Sequence, residues 1–381
     1  MKHITEVTVY TNGPASEFKT WSNVPYFFTE ALREHGIKVN LVDINPYPFI
    51  ERGYNLTLRL VWKLFHRRTT YTYFRSGLRH WITGNHVQKA LLQYPNSQAD
   101  VFLTFSFSAD KRSSRPVVLL SDWPYRYAIE YFRNRQPDRL ESSSIARETI
   151  HIEEANLVIS LFRSATDFMR ENYRNRNIHY IGQAINVPSS VVSENEALPE
   201  SKGGSFNLLF IGDAKYEAGL QVLMKAYEIL KKSYPQLTLT LIGHDTSNLV
   251  QLPDGVISYG YLDKGQEASR KLFYSLLKRA RIYVNSTPKW GGYSSILEAL
   301  YFYTPVVVAP FHEAIQMFGE QSDFMIYCEE NTPDILAARI KILLDDPGFP
   351  TISQRAHDAV KDLSWTSYTS RLLSLIESSF L

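Results

Sequence analysis

From Trp290 to Leu300 the chain reads WGGYSSILEAL. Two glycines, Gly291 and Gly292, precede Tyr293, Ser294 and Ser295 where a helix is predicted to begin, and one acid, Glu298, lies inside it. Backbone N–H groups in a first helical turn lack intrahelical partners and carry partial positive charge. An anion, phosphate above all, is stabilised there. Glycines allow close backbone approach, and the serines can cap the helix or donate to phosphate oxygens. Glu298 repels phosphate but accepts hydrogen bonds from hydroxyls such as those of a ribose. An anion site and a diol acceptor about one turn apart suit a nucleotide diphosphate. A glycine-serine cap with a solvent-exposed or salt-bridged glutamate is the alternative that spacing leaves open.

These residues need a scaffold, and the pattern supplies one. Strand-like runs alternate with helical segments, which predicts α/β layers with a mainly parallel sheet. The strands are read at 4–11, 38–44, 99–106, 116–122, 155–160 and 177–185, then at 206–213, 237–243, 255–262, 281–286 and 304–310. The segment 187–205, with two prolines, many serines and a glycine pair, reads as an interdomain hinge. The division expected is 1–187, a linker at 188–205, a second domain over 206–364, and a C-terminal helix over 365–381 returning toward the first domain. Two βα-repeating halves imply two Rossmann-like domains facing each other across a cleft, with ligands at the carboxyl ends of the strands.

The 381 residues exceed one ordinary core, and 44% hydrophobic with 21% charged residues is globular. A net charge of +2 does not point to nucleic acid, and none is expected as a partner. One cysteine, Cys328, excludes an internal disulfide and fits a reducing, cytoplasmic setting. The N-terminal residues lack the pattern of a secretion signal, and no apolar run approaches the length of a membrane span.

The order LLFIGDAKYEAGL, LTLTLIGHD, GVISYGYL, RIYVNSTPKWGGYSSILEALYFYTPVVVA and DLSWTSYTS resembles the C-terminal domain of retaining GT-B glycosyltransferases, most closely family 4. The resemblance covers 206–381 well and the N-terminal half more weakly. It matches at Gly212, Gly219, Gly260, Glu298 and Ser364-Trp365. It departs where the family's phosphate-binding Arg is Asp213, its Lys is Ala218, and its first Glu falls at Trp290. Losing two cations where a leaving group gathers negative charge weakens transition-state stabilisation unless others replace them. Lys215 and Lys289 are the candidate replacements. His244 is a further donor-side candidate, and Trp290 can stack on a sugar or a base. Surface lysines, a polar loop histidine and a packing tryptophan are the plainer readings of these positions.

In such a fold the N-terminal domain receives the acceptor. Asp122 stands after the fourth strand and can bind or deprotonate an acceptor hydroxyl, or simply cap the helix that follows. With Glu298 it makes up the catalytic pair expected here. Asn12, Gly13, Ser22, Asn23, Trp123 and Ser164 are expected near the same strand ends. From 52 to 99 no Asp or Glu occurs, while Arg59, Lys63, Arg67, Arg68, Arg75 and Arg79 alternate with aromatics. Such a segment suits an anionic membrane surface or a lipid-diphosphate acceptor. A solvated helical face over an aromatic core is the alternative.

The reading is therefore a GT-B glycosyltransferase, retaining, needing neither metal nor cofactor. It moves sugar from a nucleotide donor to a glycan or lipid-linked acceptor in polysaccharide or glycoconjugate synthesis, in the cytoplasm or at the inner membrane face. A catalytically silent GT-B module and a sugar-nucleotide epimerase are the alternatives.

Overall fold

A computed structural model describes residues 3–45, 47–65, 68–109, 113–188, 191, 202, 206–244, 252–288 and 293–380. The chain divides into two units, 1–184 with 365–381, and 185–364.

The first unit runs β1 (Glu6–Thr11), α1 (Val24–Glu34), β2 (Lys38–Asp43), α2 (Pro48–Leu56), α3 (Leu58–Phe65), α4 (Gly77–Gln93), β3 (Ala99–Phe102), β4 (Val117–Ser121), α5 (Arg139–Glu154), β5 (Leu157–Ser160), α6 (Arg163–Asn172) and β6 (Ile178–His179). Its sheet is parallel, in the order β2-β1-β3-β4-β5-β6. Strands covered on both faces read as continuous apolar runs; Val117 to Leu120 and Leu157 to Ile159 are buried throughout. Chain order reverses between β1 and β3, so loops leaving the carboxyl ends of these two strands diverge and open a crevice.

The second unit runs β7 (Asn207–Ile211), α7 (Glu217–Lys231), β8 (Thr238–Ile242), β9 (Val256–Ser258), α8 (Glu267–Arg279), β10 (Ile282–Asn285), α9 (Tyr293–Tyr301), β11 (Val306–Val308), α10 (His312–Phe318), β12 (Met325–Tyr327), α11 (Pro333–Asp345) and α12 (Phe349–Asp358). Its parallel order is β12-β11-β10-β7-β8-β9, with the reversal between β7 and β10. Strand β12 has no counterpart in the sequence reading. At three residues it is too short to show a period.

Helix α13 (Trp365–Phe380) belongs to the first unit. It packs on α1, with Trp365 edge-on to Phe28 and His35 Nε2 2.9 Å from the carbonyl of Thr366. Residues 185 and 186 belong to the second unit. Ile185 N donates to Leu363 O at 2.8 Å, and Tyr274 donates its hydroxyl hydrogen to Asn186 O at 3.0 Å. Most of the expected linker, 188–205, lies outside the described residues, but Lys202 within it is fully buried, donating to Ala280 O at 2.9 Å.

Candidate functional site

In the second unit the carboxyl ends of β10, β7 and β8 stand side by side, because these strands are neighbours in the sheet. Glycines allow their connections to pack without side chains. Gly212 N donates to Ile242 O at 2.9 Å, and Gly243 adopts φ +90°, where a β-carbon would come within 3.0 Å of the carbonyl oxygen of Gly212. Gly219 in the first turn of α7 lies against Thr287; a β-carbon there would come within 2.3 Å of Thr287 Oγ1 and 2.8 Å of its backbone nitrogen. The βα connections leaving β7 and β10 therefore touch at the topological switch point, where open α/β sheets bind their ligands.

Around this point the side chains are largely engaged with one another. Asp213 accepts from the backbone N of Lys215 at 2.9 Å, and the Lys215 ammonium lies 3.6 Å from the same carboxylate, both well exposed. His244 Nε2 is 3.1 Å from Glu217 Oε2. The hydroxyl of Ser286 and Nδ1 of His244 are buried and have no hydrogen-bond partner among the described residues. Polar atoms in that condition are uncommon in folded proteins and invite a ligand or water.

Helix α9 begins at Tyr293, whose hydroxyl donates to Met317 Sδ at 2.9 Å. Ser294 is exposed on its first turn, and Ser295 hydrogen-bonds the buried Tyr283 hydroxyl. Lys289, Trp290, Gly291 and Gly292 lie outside the described residues. Glu298 is buried and accepts from Lys264 Nζ at 3.0 Å. Burial raises its pKa, and the lysine opposes that rise. Lys264 also sits 4.4 Å from the centre of the Phe273 ring. Sequence reasoning missed Lys264: it stands in the loop after β9, and no local pattern links it to a glutamate on α9.

In the first unit, Asn12 and Gly13 follow β1 at that sheet's own switch point. Asn12 Oδ1 accepts from Arg79 Nη2 at 2.9 Å, and Gly13 N donates to Asp43 Oδ1 at 2.9 Å. Three consecutive residues, Trp21, Ser22 and Asn23, adopt positive φ of 39°, 53° and 72° before α1. Such a run stores backbone strain and is concentrated at functional loops. Trp21 Nε1 donates to Asp122 Oδ2 at 3.0 Å. Burial pushes the Asp122 pKa up to about 6, while the indole hydrogen bond pulls it down. Asp122 does not cap a helix, since the turn that follows has Pro124 at its N-cap position. Trp123 stacks on Phe162 at 4.6 Å and meets Phe132 edge-on, so its ring is packing. Ser164 is buried in the first turn of α6.

Two of the cations expected at a membrane point elsewhere. Arg75 Nη1 donates to Glu148 at 2.7 Å and to Ser106 at 2.6 Å, with its guanidinium 3.9 Å from the centre of the Tyr125 ring. Arg79 is buried and holds Asn12. The membrane expectation is corrected for both, because the buried carboxylate of Glu148 draws Arg75 inward and Arg79 is itself buried, reaching Asn12. Arg68 is exposed; Arg67 and the side chains of Arg59 and Lys63 lie outside the described residues. Among the described residues no cluster of three or more His, Cys, Asp or Glu could hold a metal ion, and no helix is long and apolar enough to cross a membrane.

Two parallel sheets with reversals at β1/β3 and β7/β10, glycine-lined at the second, define a protein of two Rossmann-like units. Residues 205–346 match the family model described as glycosyl transferases group 1. The chain is 21% identical over 214 residues to an uncharacterized glycosyltransferase of Methanocaldococcus jannaschii, covering 55% of this chain and 54% of that one. It spans about half the length of the curated relatives it matches. Among solved structures it is similar to sucrose-phosphate synthase from Thermosynechococcus elongatus, with TM-score 0.68, 15% identity and 99% of each chain covered. It is also similar to Anabaena Alr3699/HepE in complex with UDP and glucose, with TM-score 0.59, 14% identity, and 99% and 100% covered. The fold is the GT-B architecture.

Proposed function

We propose that this protein is a glycosyltransferase that takes a sugar from a nucleoside diphosphate donor and passes it to a hydroxyl of a glycan or lipid-linked saccharide. The observation that carries this reading is the glycine-lined meeting of the β7, β8 and β10 ends, with Ser286 and His244 presenting buried polar atoms beside it. The diphosphate docks against the opening turn of α9, with Ser294 donating to its oxygens. Glu298, paired with Lys264, accepts from the ribose hydroxyls. The anomeric C–O bond to the diphosphate breaks, and the acceptor oxygen bonds the same carbon from the same face. The acceptor proton passes to the departing phosphate oxygen. Retention and metal independence follow from the family resemblance. Lys215 and Lys289 supply positive charge in place of the family's Arg and Lys, and Asp122 orients the acceptor hydroxyl. The UDP held by the Anabaena neighbour supports UDP-sugars as the first donors to try.

One observation favours a second reading. Glu298 is already committed to Lys264, and two family cations are missing, as in a GT-B module that binds without catalysing. Differential scanning fluorimetry of the full chain with UDP, GDP, ADP and their sugar conjugates separates the two. A melting-temperature rise with one nucleotide, lost in Glu298→Gln, together with sugar release, supports transfer. No shift with any nucleotide overturns it.

A further inference from the structure

We infer that the paired helices α2 and α3 form a docking face for an anionic lipid bilayer. A helix lying on a globular unit normally buries one apolar stripe and shows solvent a polar one. On α2 and α3, large apolar side chains stand on the outer side as well as the inner one. On the inner face Ile50 and Trp62 pack against a cluster of Tyr54, Tyr71 and Tyr73. On the outer face Phe49 is 69% exposed, Leu56 72%, Leu60 61% and Leu64 77%. Phe49 and Leu56 are seven apart on α2, and Leu60 and Leu64 four apart on α3, so each pair shares a helix face.

Charge identifies the occupant. The acid within the two helices, Glu51, accepts from Asn45 Nδ2 at 3.0 Å. Beyond it no acid interrupts residues 52–99, Arg52 and Arg68 are exposed, and Arg59 and Lys63 belong to α3 by sequence. A second copy seated by two-fold symmetry would set this cationic patch against itself, and like charges across an interface oppose association. Anionic headgroups neutralise the cations while the leucines enter the acyl boundary, the arrangement that holds amphipathic helices in a membrane surface. Each cation near such a surface strengthens binding by about fivefold. The face does not depend on the donor site, so the nucleotide reading can fail without it, and the reverse.

Flotation of the full-length protein with vesicles of phosphatidylcholine and phosphatidylglycerol, against phosphatidylcholine alone, tests the inference. Expected is co-flotation with the anionic vesicles at low salt. Leu60→Glu with Leu64→Glu is expected to reduce binding by about tenfold or more, and Arg52→Glu with Arg68→Glu to remove much of the salt-sensitive part. Should the glutamate pair misfold by circular dichroism, Leu60→Gln with Leu64→Gln replaces it. Protein remaining unbound to anionic vesicles at low salt overturns the inference, as does undiminished binding by the folded leucine variant. A wild-type dimer that the leucine substitutions dissociate in sedimentation velocity overturns it too, since the face would then belong to a second copy.

Discussion

The ammonium of Lys264, in the loop between β9 and α8, lies 3.0 Å from a carboxylate oxygen of Glu298 on α9, with only 14% and 3% of the two side chains exposed. The pair ties the β9 connection to the helix whose opening turn is the proposed phosphate site. A buried carboxylate without a counter-charge is costly, and removing one partner of a buried pair typically destabilises by several kcal/mol.

Lys264→Met is therefore expected to destabilise the protein by about 3 kcal/mol, and Lys264→Met with Glu298→Leu to recover most of that loss. Urea titrations measure both. Without the lysine nothing opposes the burial that raises the Glu298 pKa, so the single variant should weaken further as pH rises and the carboxyl ionises. A single variant as stable as wild type would leave the pair without structural weight.

Gly219→Ala places a methyl group 2.8 Å from the backbone nitrogen of Thr287. Backbone cannot rotate away as a side chain can, so α7 must shift from the end of β10. The expected loss is about 1–3 kcal/mol, with weakened nucleotide binding by calorimetry. Thr287→Ala removes only the hydroxyl clash and should rescue little. Full rescue would place the conflict in the side chain instead.

Asp122 gives a pH dependence. Its folded pKa, about 6, stands above the ordinary value of about 3.9. The folded state therefore binds more protons than the unfolded one between those values, and stability falls as pH rises through that window. Asp122→Asn keeps an acceptor for Trp21 and cannot ionise. Its melting temperature relative to wild type should be higher at about pH 7.5 than at about pH 4.5. Equal differences at both pH values would contradict the assignment.

Arg75 and Arg52 lie in the same acid-free stretch and should behave differently. Arg75→Ala strands the buried Glu148 and is expected to cost about 3 kcal/mol. Arg52→Ala, at an exposed position, should change stability by less than about 0.5 kcal/mol. Chemical denaturation of both variants checks the contrast.

What the sequence determined alone was local. Strand-like runs rich in β-forming residues marked eleven of the strands, glycines marked strand ends, and the restart of the pattern after 205 marked a second α/β unit. Period and turn chemistry are short-range properties, so they survive reading one residue after another. The tertiary structure decided the partners. Glu298 meets a lysine 34 positions away, Asp122 an indole 101 away, and Arg75 a glutamate 73 away. Burial, not sequence spacing, settled which cations turned inward and which leucines stayed outside. A residue's type fixes what it can bind, but only the packed chain fixes what stands within reach.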